Sequence, residues 1–163
     1  MIDIPKEIIS TLVGLPCCRV GIGGGYSKKT LSIGLGDKYK NTSKNSRVEY
    51  YGEWEFGTYN ASWRFIKNNE IIFGYNNYIE GIDTATPNLE PLLNKKLIGI
   101  RALSEFDIRF EFSENMIIDI LNCFTEDDDV LHFLHVEGFY WHLLGNNKWE
   151  GGKSPFVRKK EKS

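Results

Sequence analysis

Residues 11–20 (TLVGLPCCRV) decide the fold, because residues 91–100 (PLLNKKLIGI) repeat their pattern 80 positions later. Residues 30–37 (TLSIGLGD) correspond in the same way to residues 107–114 (DIRFEFSE), at an offset of 77. Each copy has a leucine-bearing lead-in, an apolar strand, a variable loop and a strictly alternating strand, so the match lies in pattern rather than identity. A repeat on this scale predicts two similar halves and argues against an enzyme that needs one asymmetric cleft.

The composition supports one globular domain with a sizeable core. Of 163 residues, 41% are hydrophobic and 13% are aromatic, and aromatic residues favour half-buried pleated surfaces. We assign residues 1–152 to this domain, with pseudo-repeat halves at about 8–75 and 90–145. The polar stretch at residues 75–91 marks the boundary between the halves. Residues 153–163 are expected to form a basic, flexible tail.

The later segments of the two halves allow two alignments. Residues 53–56 correspond to residues 116–120. Residues 63–65 (WRF) match residues 131–133 (LHF), but they fit equally well against Trp141. The duplication is therefore better defined for the early strands than for the late ones.

Alternation of apolar and polar residues predicts short strands joined by tight turns, as in Leu31, Ile33 and Leu35. Consecutive short strands favour antiparallel sheets over a parallel α/β fold. We therefore expect a mainly β fold, α+β at the margin, with antiparallel sheets in a sandwich-like or curved double meander and one or two short helices. The expected helical segments are 5–12 and 88–93, the expected loop is 38–46, and the expected strands are 19–22, 31–35, 48–51, 53–59, 63–66, 70–73, 97–103, 108–112, 116–124, 130–136 and 139–144.

The net charge of -2 is unevenly distributed. Residues 153–163 hold five basic residues and one acidic residue, so residues 1–152 carry 15 basic and 21 acidic groups, a net charge of -6. An acidic body repels nucleic acid and attracts a basic protein. We expect a protein partner rather than a nucleic acid.

The compartment is predicted from cysteines and hydropathy. Three cysteines, Cys17, Cys18 and Cys123, are too few and too unevenly spaced for a secreted disulfide framework. Residues 1–7 lack the pattern of a signal peptide, and no stretch approaches the ~20 apolar residues that span a bilayer. These features predict a cytoplasmic protein that does not enter a membrane.

The candidates for chemistry are few. The glycine cluster at residues 21–25 is followed by an alternating strand, whereas a phosphate-binding loop leads into a helix, so we expect a hairpin loop and no cofactor.

Zinc would accept His132, His135 and His142 as ligands, but residues three apart on a strand point to opposite faces. His132 and His142 could meet across a hairpin, which supplies two ligands at most; we expect no metal and no catalytic residues.

The densest acidic run contains Glu126, Asp127, Asp128 and Asp129. It lacks the alternating oxygen ligands, glycine and closing glutamate of a calcium loop. One interpretation is a solvated loop. The other is a docking surface for a basic partner, which would speed association and select partners. We name these four residues as the candidate partner-binding site.

Four segments resemble motifs of small bacterial immunity proteins encoded beside polymorphic or contact-dependent growth inhibition toxins. They are residues 12–14 (LVG), 63–65 (WRF), 93–97 (LNKKL) and 106–112 (FDIRFEF). The resemblance covers most of residues 8–145 and implies a non-enzymatic protein that binds and neutralises a cognate toxin domain, such as a nuclease. It identifies no contact residue, because the toxin-binding surfaces of such proteins vary greatly.

Two other functional classes stay open at this point. One is a small hydrolase or nucleotide-processing enzyme that uses His132 or His142 with nearby acids. The other is a glycan- or nucleic-acid-binding module with exposed aromatic side chains, for which Trp54, Trp63, Tyr59, Tyr75, Tyr78, Tyr140 and Trp141 are the candidates.

Overall fold

A computed structural model describes residues 1–23, 28–44, 48–79, 85–123 and 128–154, without the side chains of residues 85 and 86. The helices are α1 Lys6–Leu12 and α2 Ala85–Leu89, with 3-10 turns at Tyr75–Asn77 and Glu90–Leu92. The strands are β1 Cys17–Ile22, β2 Leu31–Lys40, β3 Tyr50–Thr58, β4 Ser62–Lys67, β5 Glu70–Gly74, β6 Leu97–Ala102, β7 Ile108–Phe112, β8 Met116–Leu121, β9 Asp129–His135, β10 Phe139–Leu144 and β11 Trp149–Lys153.

The strands form two antiparallel sheets that exchange hairpins. The first sheet has the order β1-β2-β3-β9-β10-β11, and the second has the order β5-β4-β8-β7-β6. Each sheet thus joins the first three strands of one half to the later strands of the other half, which are β9–β11 in the first sheet and β4–β5 in the second. The pairing of β3 with β9 in the first sheet corresponds to the pairing of β8 with β4 in the second. The prediction of a mainly β fold built from antiparallel sheets is confirmed.

The register decides between the two alignments of the late segments. Phe56 on β3 lies opposite Phe133, and Ile118 on β8 lies opposite Phe65. Residues 63–65 therefore correspond to residues 131–133, because both lie beside the third strand of the other half's meander. Trp141 lies on β10, one strand further out.

The core lies between the inner faces of the two sheets. Phe56 of the first sheet stacks on Phe110 of the second, with ring centroids 4.3 Å apart, and Phe133 lies 6.0 Å from both. These aromatic rings are fully buried. Such stacking between sheets adds to the apolar burial that stabilises a β-sandwich.

The lead-in of each half closes the sandwich at one end. Pro5 precedes α1, where a missing N–H costs no helix hydrogen bond, and the helix buries Ile8 and Leu12. The second lead-in buries Leu89 and Leu92. The helical segments expected at residues 5–12 and 88–93 are thus present, the second as α2 followed by a 3-10 turn.

The loop prediction for residues 38–46 was wrong at its start. Residues 38–40 continue β2 and pair with residues 50–52 of β3. Tyr39 is only half-buried and lies between exposed Lys38 and Lys40, so this stretch contributes no buried apolar side chain that would have distinguished it from a polar loop. Residues 45–47 lie outside the described ranges.

Strand β11 was not predicted, because glycine is unfavourable in strands. Both glycines of β11 are explained by side chains of β10 that lie close to their backbone. A Cβ at Gly151 would lie 2.8 Å from the Trp141 ring, and a Cβ at Gly152 would lie 2.9 Å from the Tyr140 hydroxyl. The glycines allow large side chains of β10 to lie across the edge strand.

Candidate functional site: an acidic groove beside paired histidines

Two of the four predicted partner-binding residues, Asp128 and Asp129, lie within the described part of the chain. Asp128 is exposed and immediately precedes β9, and Asp129 is the first residue of that strand. Glu126 and Asp127 lie outside the described residues, as do Gly24 and Gly25 of the glycine cluster.

Asp128 and Asp129 form one wall of an open groove of about 450 Å³. The groove lies where β9 begins, β10 ends and β11 begins, and its lining is Asp128, Asp129, His142, Leu144, Lys148 and Glu150. Three carboxylates therefore face one ammonium group, for a charge of -2 with the histidine neutral. Such a groove favours a cationic ligand group over an anionic one.

Backbone hydrogen bonds fix the walls of the groove. The Gly145 N–H donates to the Asp128 carbonyl at 3.0 Å, and the Leu144 N–H donates to the Lys148 carbonyl at 2.9 Å. The Asn60 side-chain amide donates to the Asp129 carbonyl at 3.3 Å. The carboxylates are thus carried on ordered backbone, which reduces the entropy that a binding partner must remove.

His142 contacts one of the groove carboxylates. Its Nδ1 lies 3.1 Å from Oδ1 of Asp129, and both side chains are about one third exposed. A carboxylate at Nδ1 favours the tautomer that carries its proton there. The contact can therefore orient the His142 ring.

His132 lies directly opposite His142 on the neighbouring strand, with ring centroids 6.4 Å apart. The absence of a side chain at Gly57 makes room for His132, since a Cβ there would lie 2.9 Å from His132 Cε1. Tyr59 also packs against His132, with the two ring centroids 4.7 Å apart. The two histidines that the sequence suggested could meet across a hairpin are indeed paired.

His135 lies away from this pair. Its ring contacts Trp54 at 4.7 Å between centroids, and its Nε2 is 3.8 Å from Oε1 of Glu53. The described residues contain no group of three or more His, Cys, Asp or Glu side chains placed to hold a metal ion.

Sequence reasoning missed Glu150 and Lys148 because it missed β11. A usable signal was present in the turn that precedes them, since residues 145–148 (GNNK) contain the residue types that favour tight turns. Asn147 adopts a positive φ of 64° in that turn, as Asn68 and Asn69 do in the turn between β4 and β5. A strand directly after β10 was therefore predictable in principle.

The proposed aromatic platform is not a single surface. Trp63 is only 2% exposed, and its indole N–H donates to the Lys29 carbonyl at 2.8 Å. It packs in the core with Phe73, at 6.1 Å between ring centroids. Trp63 therefore serves the fold rather than a ligand.

Burial holds the thiols of Cys17 and Cys18 in their protonated form. Burial raises the pKa of Cys17 to about 12 and that of Cys18 to about 11. A thiol acts as a nucleophile only as the thiolate. Neither of these two side chains is therefore activated for nucleophilic chemistry at neutral pH.

Two buried carboxylates escaped the sequence analysis, because nothing in the pattern distinguishes them from other acids. Glu55, 4% exposed, binds Arg19 and accepts the Gly52 N–H at 2.6 Å. Burial would lower the pKa of Arg19, but the hydrogen bond and charge of Glu55 outweigh this and raise it. Asp119 is fully buried and binds two arginines, Arg64 and Arg109.

This chain matches no protein-family model, no curated protein and no solved structure. Within the described ranges, no helix is long and apolar enough to cross a membrane. The interpretation of the acidic groove therefore rests on its own geometry and charge.

Proposed function

We propose that this protein is an immunity protein, which binds a basic toxin domain through the acidic groove and thereby neutralises it. The observation that carries the proposal is the clustering of Asp128, Asp129 and Glu150 in one open groove with a single lysine. The groove is wide and polar, as expected for a surface that receives arginine or lysine side chains from another protein.

Charge supports the same interpretation at two scales. The groove has a local charge of -2, and residues 1–152 have a net charge of -6 from 15 basic and 21 acidic groups. Long-range attraction of this kind raises the association rate of a basic partner, and local pairing fixes its orientation. A rapid association suits an inhibitor that must bind a toxin before the toxin acts. A cytoplasmic location belongs to the same proposal.

The test is rescue of cells that produce the protein encoded beside this chain. We expect the wild-type chain to restore growth, and a variant with Asp128→Asn, Asp129→Asn and Glu150→Gln to lose this protection. The control carries Glu7→Gln, Glu70→Gln and Glu90→Gln, which removes the same charge from exposed positions that do not line the groove. Failure of the wild-type chain to protect, or equal protection by the groove variant, would overturn the proposal.

A second candidate, a small hydrolase or nucleotide-processing enzyme, is favoured by one observation. The carboxylate of Asp129 lies 3.1 Å from Nδ1 of His142, an arrangement that can orient an imidazole as a general base. Turnover of a phosphoester or ester substrate that is lost in His142→Gln, with the fold retained, would support this candidate. Protection by the His142→Gln variant without measurable turnover in the wild type would exclude it in favour of inhibition by binding.

A further inference from the structure

Three arginines and one aspartate lie in a row across the outer face of the second sheet. Arg64 on β4 is opposite Asp119 on β8, Asp119 is opposite Arg109 on β7, and Arg109 is opposite Arg101 on β6. Neighbouring strands are about 4.8 Å apart, so this row concentrates positive charge over a short distance. We refer to these four residues as the arginine row.

Asp119 holds two of the guanidinium groups in fixed positions. It accepts hydrogen bonds from Arg64 Nε at 2.8 Å, from Arg109 Nε at 2.7 Å and from Arg109 Nη2 at 2.9 Å. The hydrogen bond to Asp119 raises the pKa of Arg109 more than burial lowers it. The carboxylate is fully buried beneath the two side chains, which are 35% and 17% exposed.

The fold itself does not require this row. By the correspondence of the two halves, the matching positions in the first sheet are Gly21, Ser32, Gly57 and His132. Those positions build the same cross-strand pairs without an arginine. The charges are therefore a property of this face rather than of the double meander.

The positive charge of the row exceeds its negative charge. Arg101 donates from Nε to Glu111 at 2.7 Å, and Asp119 balances one further arginine, so three cations face two carboxylates. Arg101 and Arg109 are also directly opposite each other, an arrangement of like charges that destabilises a sheet. Among the described residues, both Nη groups of Arg64 and of Arg101 have no hydrogen-bond partner.

We propose that the arginine row is an anion-binding site, which takes a carboxylate or phosphate group. Guanidinium groups bind both of these oxyanions through paired N–H donors. A bound oxyanion would balance the excess positive charge and accept hydrogen bonds from the exposed Nη donors of the row. The site is separate from the acidic groove, which lies on the other sheet, and it does not depend on the proposed function.

The test is NMR titration of the arginine side-chain Nε–Hε signals with inorganic phosphate and, separately, with acetate, at constant ionic strength. We expect saturable shifts for Arg64 and Arg101, and at least tenfold weaker binding in Arg64→Gln and in Arg101→Gln. Saturation by phosphate alone would assign the site to phosphate groups, and saturation by both probes would assign it to oxyanions in general.

The matched control is Lys67→Gln, which removes one positive charge from β4 outside the arginine row. Its affinity for the probe should equal that of the wild type. The proposal is overturned if neither probe gives a saturable shift, or if Lys67→Gln weakens binding as much as the row variants. Arg101 is 51% exposed, so its variant tests the site even if Arg64→Gln unfolds.

Discussion

Gly14 and Asn94, which are 80 residues apart, occupy the same position in the two halves and make the same hydrogen bond. The Gly14 N–H donates to the Leu97 carbonyl at 2.7 Å, and the Asn94 N–H donates to the Cys17 carbonyl at 2.7 Å. Both residues have a positive φ, 99° for Gly14 and 66° for Asn94. The two lead-ins therefore pair with each other about a local two-fold relationship.

That relationship is centred on Pro16 and Lys96, which form an isolated antiparallel bridge. The Pro16 carbonyl accepts the Gly36 N–H at 2.8 Å, and the Lys96 carbonyl accepts the Ser113 N–H at 2.9 Å. Pro16 and Lys96 are 80 residues apart, and their partners Gly36 and Ser113 are 77 residues apart. The two hydrogen bonds therefore follow the two offsets found in the sequence. The two lead-ins are thus joined to each other through equivalent residues of the repeat.

Substitution at Gly14 should be limited by backbone conformation. No atom lies within 4 Å of a Cβ built at Gly14, so the cost of a side chain there is its positive φ and not a collision. We expect Gly14→Val to lower the free energy of unfolding by about 2 kcal/mol, and Gly14→Asn to lower it by about 1 kcal/mol or less, since asparagine tolerates this region. Urea denaturation measures both. Equal losses for the two variants would contradict the conformational argument.

Asp119 should contribute strongly to stability. Replacing it with asparagine leaves two guanidinium groups, one of them largely buried, without their counter-charge. We expect Asp119→Asn to lower the free energy of unfolding by about 3 kcal/mol. The control Glu111→Gln breaks the more exposed pair with Arg101 and should cost about 1 kcal/mol at most. Similar losses for both variants in urea denaturation would show that Asp119 acts only as a surface charge.

The buried Cys17 thiol predicts a loss of stability in alkali. Burial raises its pKa from 9.0 to about 12. The unfolded chain ionises this thiol at a lower pH than the folded chain does, so stability is complete below pH 9 and falls as the pH rises towards 12. The contribution is roughly 1.4 kcal/mol per pH unit within that window.

Comparison with Cys17→Ala isolates this contribution from other alkaline titrations. The variant leaves a cavity and is less stable at pH 7, but its stability should decline less steeply between pH 9 and pH 11. The measurement is the free energy of unfolding in urea at several pH values. Parallel pH profiles for the two proteins would mean that Cys17 does not resist ionisation.

Much of the fold was predictable, because local periodicity and tertiary burial agree in most strands. Leu31, Ile33 and Leu35 alternate in sequence and are all buried. The exchange of hairpins between sheets was not predictable, since the same strands would also satisfy two separate meanders. Only the register of Phe56 with Phe133 and of Ile118 with Phe65 decides it.

The candidate site was predictable in part. Paired His132 and His142 follow from hairpin geometry, and Asp129 follows from the acidic run. Glu150 was not placed, because the glycines of β11 weaken the local strand pattern where Trp141 and Tyr140 approach, although the turn residues at 145–148 gave a usable signal. Side chains that approach from a neighbouring strand leave no signal in the local pattern.

The central claim is that the acidic groove binds a basic partner. Its most direct test is the dissociation constant, measured by calorimetry, for the purified chain and the protein encoded beside it. We predict that Asp128→Asn, Asp129→Asn and Glu150→Gln together weaken binding on the order of 100-fold. The control with Glu7→Gln, Glu70→Gln and Glu90→Gln should stay within about threefold of the wild type, because charge outside the interface affects affinity little. Equal affinity for the groove variant and the control variant would contradict the account.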